Sequence, residues 1–151
     1  MAGAVDRFLA VAGPVEVRTM DASTRTAEEA AAAVGVEVGQ IVKSLVWAVD
    51  GEPVLALVAG DRRLVPERLA EALGVAEVGR ADADAVRAAT GFAIGGVPPF
   101  GHRTALRTVM DESLQRFDEV WAAAGTPRDV FAIAPAELAE RADASVAAIG
   151  A

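Results

Sequence analysis

The sequence predicts a mixed α/β (α+β) fold: a mixed, partly closed sheet with short helices around it. Three observations carry that reading. Strand-like and helix-like segments interleave irregularly, without a steady strand–helix–strand period, which argues against a doubly wound parallel sheet. The segment Gln40 to Val49 is rich in β-branched residues and mostly apolar on both faces, so it is expected to be a central strand. Asp50-Gly51 then signals a tight turn, and Val54 to Ala59 returns as its hairpin partner. A chain of 151 residues suits one domain, 1–151, around one core.

The remaining elements follow in order. Val5 to Ala12 reads as a short helix ended by Gly13-Pro14. Val15 to Met20 alternates apolar and polar residues and reads as a strand. Ala27 to Val34 is helical: Thr26 with Glu29 three residues on is a capping box, and Gly35 supplies the left-handed stop. Gly60 to Arg63 is a polar loop. Pro66 to Leu73 is a helix stopped at Gly74, and Asp82 to Thr90 is another, followed by Gly91. Leu106 to Met110 is a strand ending at Asp111. Phe117 to Ala123 suits strand or helix equally. Val130 to Ala134 is a strand, and Pro135 to Arg141 a helix whose early proline lies where a missing amide costs little.

Composition narrows the function classes. The formal charge is −8, which disfavours sequence-independent clamping of long nucleic acid, since that binding works by neutralising many phosphates. A local basic pocket can still hold one nucleotide terminus. The chain has no cysteine, so disulfides and thiolate metal sites are excluded, and a cytoplasmic setting is expected. Its apolar runs fall well short of the roughly 20 residues that span a bilayer, and no signal peptide is expected at the N-terminus.

One residue stands out against this background. Lys43 is the single lysine in a chain that otherwise uses arginine. Its neighbours two positions away on the strand, Ile41 and Leu45, are apolar, and an ammonium buried there without a partner is costly. Either Lys43 snorkels from a sheet edge into solvent, or it anchors an anion or a developing oxyanion at the bottom of a pocket. The second feature is the loop Phe92 to Gly101, where Gly95 and Gly96 permit close approach of a ligand to the backbone and Pro98 and Pro99 stiffen the exit. Such a loop either aims amides at one oxygen or is a plain turn. It has neither Walker nor dinucleotide-fingerprint spacing. The solitary histidine, His102, follows at once. Without partners it makes no ordinary zinc site, and no serine has a nucleophile-elbow setting.

Three segments carry a family resemblance: Gly39-Gln40-Ile41-Val42-Lys43-Ser44-Leu45-Val46, Thr90 to Gly101, and Val109-Met110-Asp111. Together they resemble the YbaK/EbsC family, which includes free-standing relatives of the editing (INS) domain of bacterial prolyl-tRNA synthetase. The resemblance runs from about Ser23 to Leu138. It implies a mixed α/β fold around a curved sheet, and hydrolysis of the ester in mischarged aminoacyl-tRNA. It implies a tRNA for proline carrying a small wrong amino acid such as cysteine or alanine. Lys43 resembles the family lysine, and Gly95, Gly96, Val97, Pro98 and Pro99 the GxxxP loop. Thr24, Ser44, Gly101, His102, Asp111 and Gly125 are expected to complete the substrate site.

No metal or cofactor is expected, since a ribose hydroxyl of the substrate can help to activate the water. The expected partners are the 3′ end of aminoacyl-tRNA and, for delivery, a synthetase or an elongation factor, with no DNA and no membrane. This chain departs from the family at several places. Ser44 stands where some members have asparagine or threonine. Ala123 and Val130 align with a serine and an aspartate of others, with Asp129 only adjacent. Two rival readings remain: a non-catalytic module that binds an aminoacyl, nucleotide or protein ligand, and a metal-free hydrolase of another small ester with His102 as base.

Overall fold

The computed structural model describes residues 3–21 and 26–151. The chain begins with α1 (Ala4–Ala12), which stops where the Gly13 amide donates to the Leu9 carbonyl. The short strand β1 (Val17–Thr19) follows. Helix α2 (Ala27–Val34) starts at Thr26, whose hydroxyl accepts from the Glu29 amide at 3.1 Å, and ends at Gly35 in the left-handed region, as the capping pattern predicts. A 3-10 turn (Val38–Gln40) then leads into the hairpin β2 (Val42–Val49) and β3 (Glu52–Ala59). Its two-residue turn, Asp50-Gly51, has positive φ at both positions.

Helix α3 (Pro66–Leu73), β4 (Gly79–Arg80), α4 (Ala83–Thr90) and β5 (Arg107–Asp111) come next. A 3-10 turn (Glu112–Arg116), β6 (Val120–Ala123), β7 (Asp129–Ile133), α5 (Pro135–Arg141) and β8 (Ser145–Ala147) complete the order. The segment Phe117 to Ala123, open between strand and helix in the sequence, resolves as β6. Among the described residues no helix is long and apolar enough to cross a membrane.

The architecture is mixed α/β, with the sheet distributed over two open pieces. One is three-stranded and antiparallel, in the order β1-β7-β6; the other is five-stranded, β4-β2-β3-β5-β8. In the larger sheet β2 pairs antiparallel with β3 and β4, while β3–β5 and β5–β8 are parallel. The partial closure expected from the sequence reduces to one parallel bridge between the pieces, Ile41 to Trp121.

The central strand is β3, not β2. Leu55, Leu57 and Ala59 are buried in a cluster that joins both sheets, and Val54, Ala56 and Val58 are buried on the opposite face against Leu69 and Leu73 of α3. Burying one such aliphatic side chain contributes about 1.5–3 kcal/mol. At the heart of the joint cluster Phe8, Phe100 and Phe131 pack with ring centroids 5.4 to 5.8 Å apart. This trio fastens α1 and the segment after α4 onto β7, which fixes where the Gly/Pro loop sits.

Candidate active site

The site follows from what β2 lacks. On one side β2 pairs with β3 along its whole length. On the other side only Trp47 and Ala48 meet a strand, β4. Between that short ladder and the Ile41–Trp121 bridge, Val42 to Val46 has no strand partner among the described residues. A cleft of about 300 Å3 lies there. Lys43, Ser44 and Leu45 form its β2 wall, Ala27 and Ala30 of α2 a second, and Ile94, Gly95 and Val97 of the Gly/Pro loop a third. Trp121 to Ala123 of β6, with Pro127 and Val130, complete it. The solitary lysine and the glycine loop, about 50 residues apart in the chain, thus share one cavity.

Lys43 is half-buried, and its ammonium donates to the Arg62 carbonyl. That bond holds the side chain at the wall and leaves two of its three N–H protons for a ligand. Burial lowers its pKa, with Arg63 acting in the same direction; Glu28 and Asp61 pull it back up, and the net direction is down. A desolvated ammonium beside an apolar wall is better placed to stabilise an anion than one in water.

The loop is held from three sides. Gly95 has φ +91°, a conformation that favours glycine. A Cβ on Gly96 would lie 2.6 Å from the Gly125 carbonyl oxygen, so only glycine lets the loop close onto that backbone. The Gly96 amide is spent on the Ala93 carbonyl at 3.0 Å. The amides of Gly95 and Val97 donate to no protein acceptor among the described residues, and these are the donors that remain for a ligand oxygen. Pro98 and Pro99 are buried.

His102 is one of the braces. It is buried, its Nε2 lies 2.6 Å from the Pro98 carbonyl oxygen, and it does not line the cleft. Burial lowers its pKa despite that carbonyl, so the ring is a neutral donor that pins the loop from behind. The expectation of a substrate contact or base at His102 is corrected accordingly.

Other expected site residues fall away from the cleft in the same manner. The buried carboxylate of Asp111 accepts from Ser113 N, Ser113 Oγ, Ile149 N and Gly150 N. Burial pushes its pKa up, the hydrogen bonds outweigh that, and the net direction is down. It ties β5 to the C-terminal segment, and none of its capacity points at the cavity. Gly101, with φ +80°, packs against Phe8 and Ala12. Gly125 touches the loop from beneath rather than lining the cleft. Thr24 lies outside the described residues.

Ser44 does line the cleft, and its buried hydroxyl has no hydrogen-bond partner among the described residues. The same is true of Trp121 Nε1, a group that sequence reasoning did not single out. Two unsatisfied buried polar atoms on the wall of one cleft is an arrangement that calls for an explanation. Ala123 and Val130 both line the cleft and leave it apolar there. Asp129, the residue before Val130, is occupied by the hydroxyls of Thr19 and Thr126.

Residues 21–140 match the aminoacyl-tRNA editing domain model. The chain belongs to the aminoacyl-tRNA editing domain family. The matched span contains the lysine strand, the Gly/Pro loop and β5 to β7. The editing domain is 32% identical over 126 residues to the uncharacterized protein YwhH of Bacillus subtilis (strain 168), covering 83% of this chain and 80% of that one. It is 41% identical over 91 residues to the proline–tRNA ligase of Geobacter sp. (strain M21), covering 60% of this chain but only 16% of the ligase. A crystal structure of a protein proposed as a trans-editing enzyme for prolyl tRNA synthetase superposes with a TM-score of 0.92 at 44% identity, over 100% of this chain and 99% of that one.

Proposed function

We propose that this editing domain is a trans-acting deacylase that hydrolyses the ester of mischarged tRNA, with tRNA for proline carrying alanine or cysteine as its substrate. The observation that carries the reading is Lys43 lining one small cleft with Gly95 and Val97, whose amides have no acceptor among the described residues. Water adds to the ester carbonyl carbon, and the carbonyl oxygen becomes an oxyanion. The loop amides and Lys43 supply fixed positive charge to that oxygen or to the terminal phosphate; one such donor is worth about 10²–10³ in rate. Collapse breaks the bond to the ribose oxygen, which leaves with a proton and releases the free amino acid. A neighbouring ribose hydroxyl orients the water, which suits a cleft whose described lining has no carboxylate or imidazole.

The small side chains of Ala27, Ala30, Ala122 and Ala123 set a narrow cavity. Size is a useful filter here, because a synthetase separates side chains that differ by one methylene only about 10–200-fold. Delivery by a synthetase or an elongation factor, in the cytoplasm, completes the proposal. The test is a panel of tRNAs for proline charged with alanine, cysteine, serine or proline. Release of alanine or cysteine with prolyl-tRNA untouched is expected; background rates across the panel defeat the reading. The lack of a carboxylate or imidazole in the described lining is the one observation that favours a pure binding module, and saturable binding without turnover would establish that alternative.

A further inference from the structure

A second cleft, of about 420 Å3, adjoins the first and shares Lys43, Ser44, Leu45, Ile94 and Val97 with it. Its own walls are different in kind. Trp47 and Arg80 stand opposite each other in the β2–β4 ladder, and the Arg80 guanidinium lies 5.6 Å from the Trp47 ring centroid. Arg63 stands beside Lys43 on the same rim, and Leu64, Ala81 and Val86 form an apolar floor. The charged side chains among the described lining are three cations, Lys43, Arg63 and Arg80, with no carboxylate. Asp82, next to Ala81 in the chain, has its carboxylate turned to the Ala85 amide as the cap of α4. In a chain of charge −8 this concentration of positive charge around an aromatic ring is a marked local exception.

A flat ring, a guanidinium stacked on it and two further cations make the combination that single-stranded nucleic acid binds: a base stacks on aromatic or guanidinium planes while cations follow the phosphates. We infer that the second cleft is a nucleotide site that takes the penultimate nucleotide of the tRNA 3′ end, its base on the Trp47–Arg80 pair and its connecting phosphate between Lys43 and Arg63. The inference rests on the deacylase reading of the first cleft. With the ester in the first cleft and the terminal ribose beside Lys43, the adjoining space across that shared wall is open to the chain as it continues in the 5′ direction. The two-residue strand β4 then has a purpose: its ladder sets Arg80 over Trp47.

The test uses the full chain carrying Trp121→Phe, so that Trp47 is the sole tryptophan, and a short uncharged RNA ending in CCA. Saturable quenching of Trp47 fluorescence is expected, weakened about tenfold by Arg63→Ala or Arg80→Ala. Removing the two terminal nucleotides from the RNA is expected to abolish the quench. Deacylation is measured with Trp121 left in place: Trp47→Ala is expected to raise KM about tenfold with kcat little changed, and Trp47→Phe to restore most of the loss. Quenching without any deacylation supports the nucleotide site and sinks only the deacylase reading. Deacylation whose KM ignores Trp47, Arg63 and Arg80 overturns the nucleotide site and leaves the deacylase standing. Absence of both quenching and turnover overturns the two together.

Discussion

Strands β2 and β3 have the same length, lie side by side and are similarly apolar, yet they do opposite work. Leu57 and Val58 of β3 are fully buried. Their register partners on β2 are Ser44 and Lys43, which stand half-buried along a cleft. The difference lies in what stands on each strand's other side. β5 runs beside β3, so both its faces and both its edges are covered. β2 has β4 at one end only, and its uncovered stretch becomes the wall of two cavities. A strand that lacks a second neighbour can present side chains to a ligand while its paired edge keeps them in place.

The sharpest way to break this comparison is to truncate the two members of one register pair. Leu57→Ala is expected to cost about 2–5 kcal/mol of stability in a denaturant titration, through lost burial and the cavity left behind. Ser44→Ala, directly across the ladder, is expected to stay within about 0.5 kcal/mol or to gain slightly, because its hydroxyl has no partner among the described residues to lose. Equal losses at both positions would mean that β2 is as much core as β3.

Next in size is the loop that faces β2. Gly96→Ala places a Cβ against the Gly125 backbone, which has no flexible end to move aside. About 1–3 kcal/mol of destabilisation is expected, of the kind overpacking causes, with a displaced loop and slower deacylation. A variant with unchanged melting temperature and rate would show that the loop is free rather than clamped.

The smallest effect is electrostatic. Because Lys43 is the one lysine, its Nζ gives a single resonance in an NMR titration. Its midpoint is expected below 10.5, since burial disfavours the charged form, and Glu28→Gln is expected to lower it further by removing a supporting carboxylate. The sign for stability follows. The unfolded chain binds this proton more tightly than the folded one, so stability rises with pH between the lowered midpoint and 10.5. Activity that needs the ammonium falls across the same interval. A midpoint of 10.5 would place the amine in open water, and one above it would mean that Glu28 and Asp61 outweigh burial.

Much of this was legible in the residues themselves. The hairpin, the caps of α2 and α4 and the span of α3 follow from turn and capping chemistry that acts within a few residues. The lysine and the loop were legible as candidates because each breaks its surroundings: one cation type against another, and paired glycines before paired prolines. What escaped depends on distant partners. Apolar content on both faces of β2 signalled burial, but a core and an apolar cleft wall have the same composition. Two-residue β4 and three-residue β8 are too short for a period, and they exist because β2 and β5 offer edges. Asp111 looked available in sequence, yet its capacity is filled by amides 38 and 39 residues away. Trp121 sat in a segment that suited helix or strand, so the face it presents could not be assigned.

In the proposed reaction the β2 ammonium acts on an ester held against the glycine loop. Single-turnover release of alanine from mischarged tRNA for proline, by wild-type protein and by folded Lys43→Ala side by side, tests it most directly. Rapid release by the wild type and a rate about 10²–10³ lower for the variant is the result this account predicts. Equal rates for the two proteins, or no release by the wild type, would contradict it.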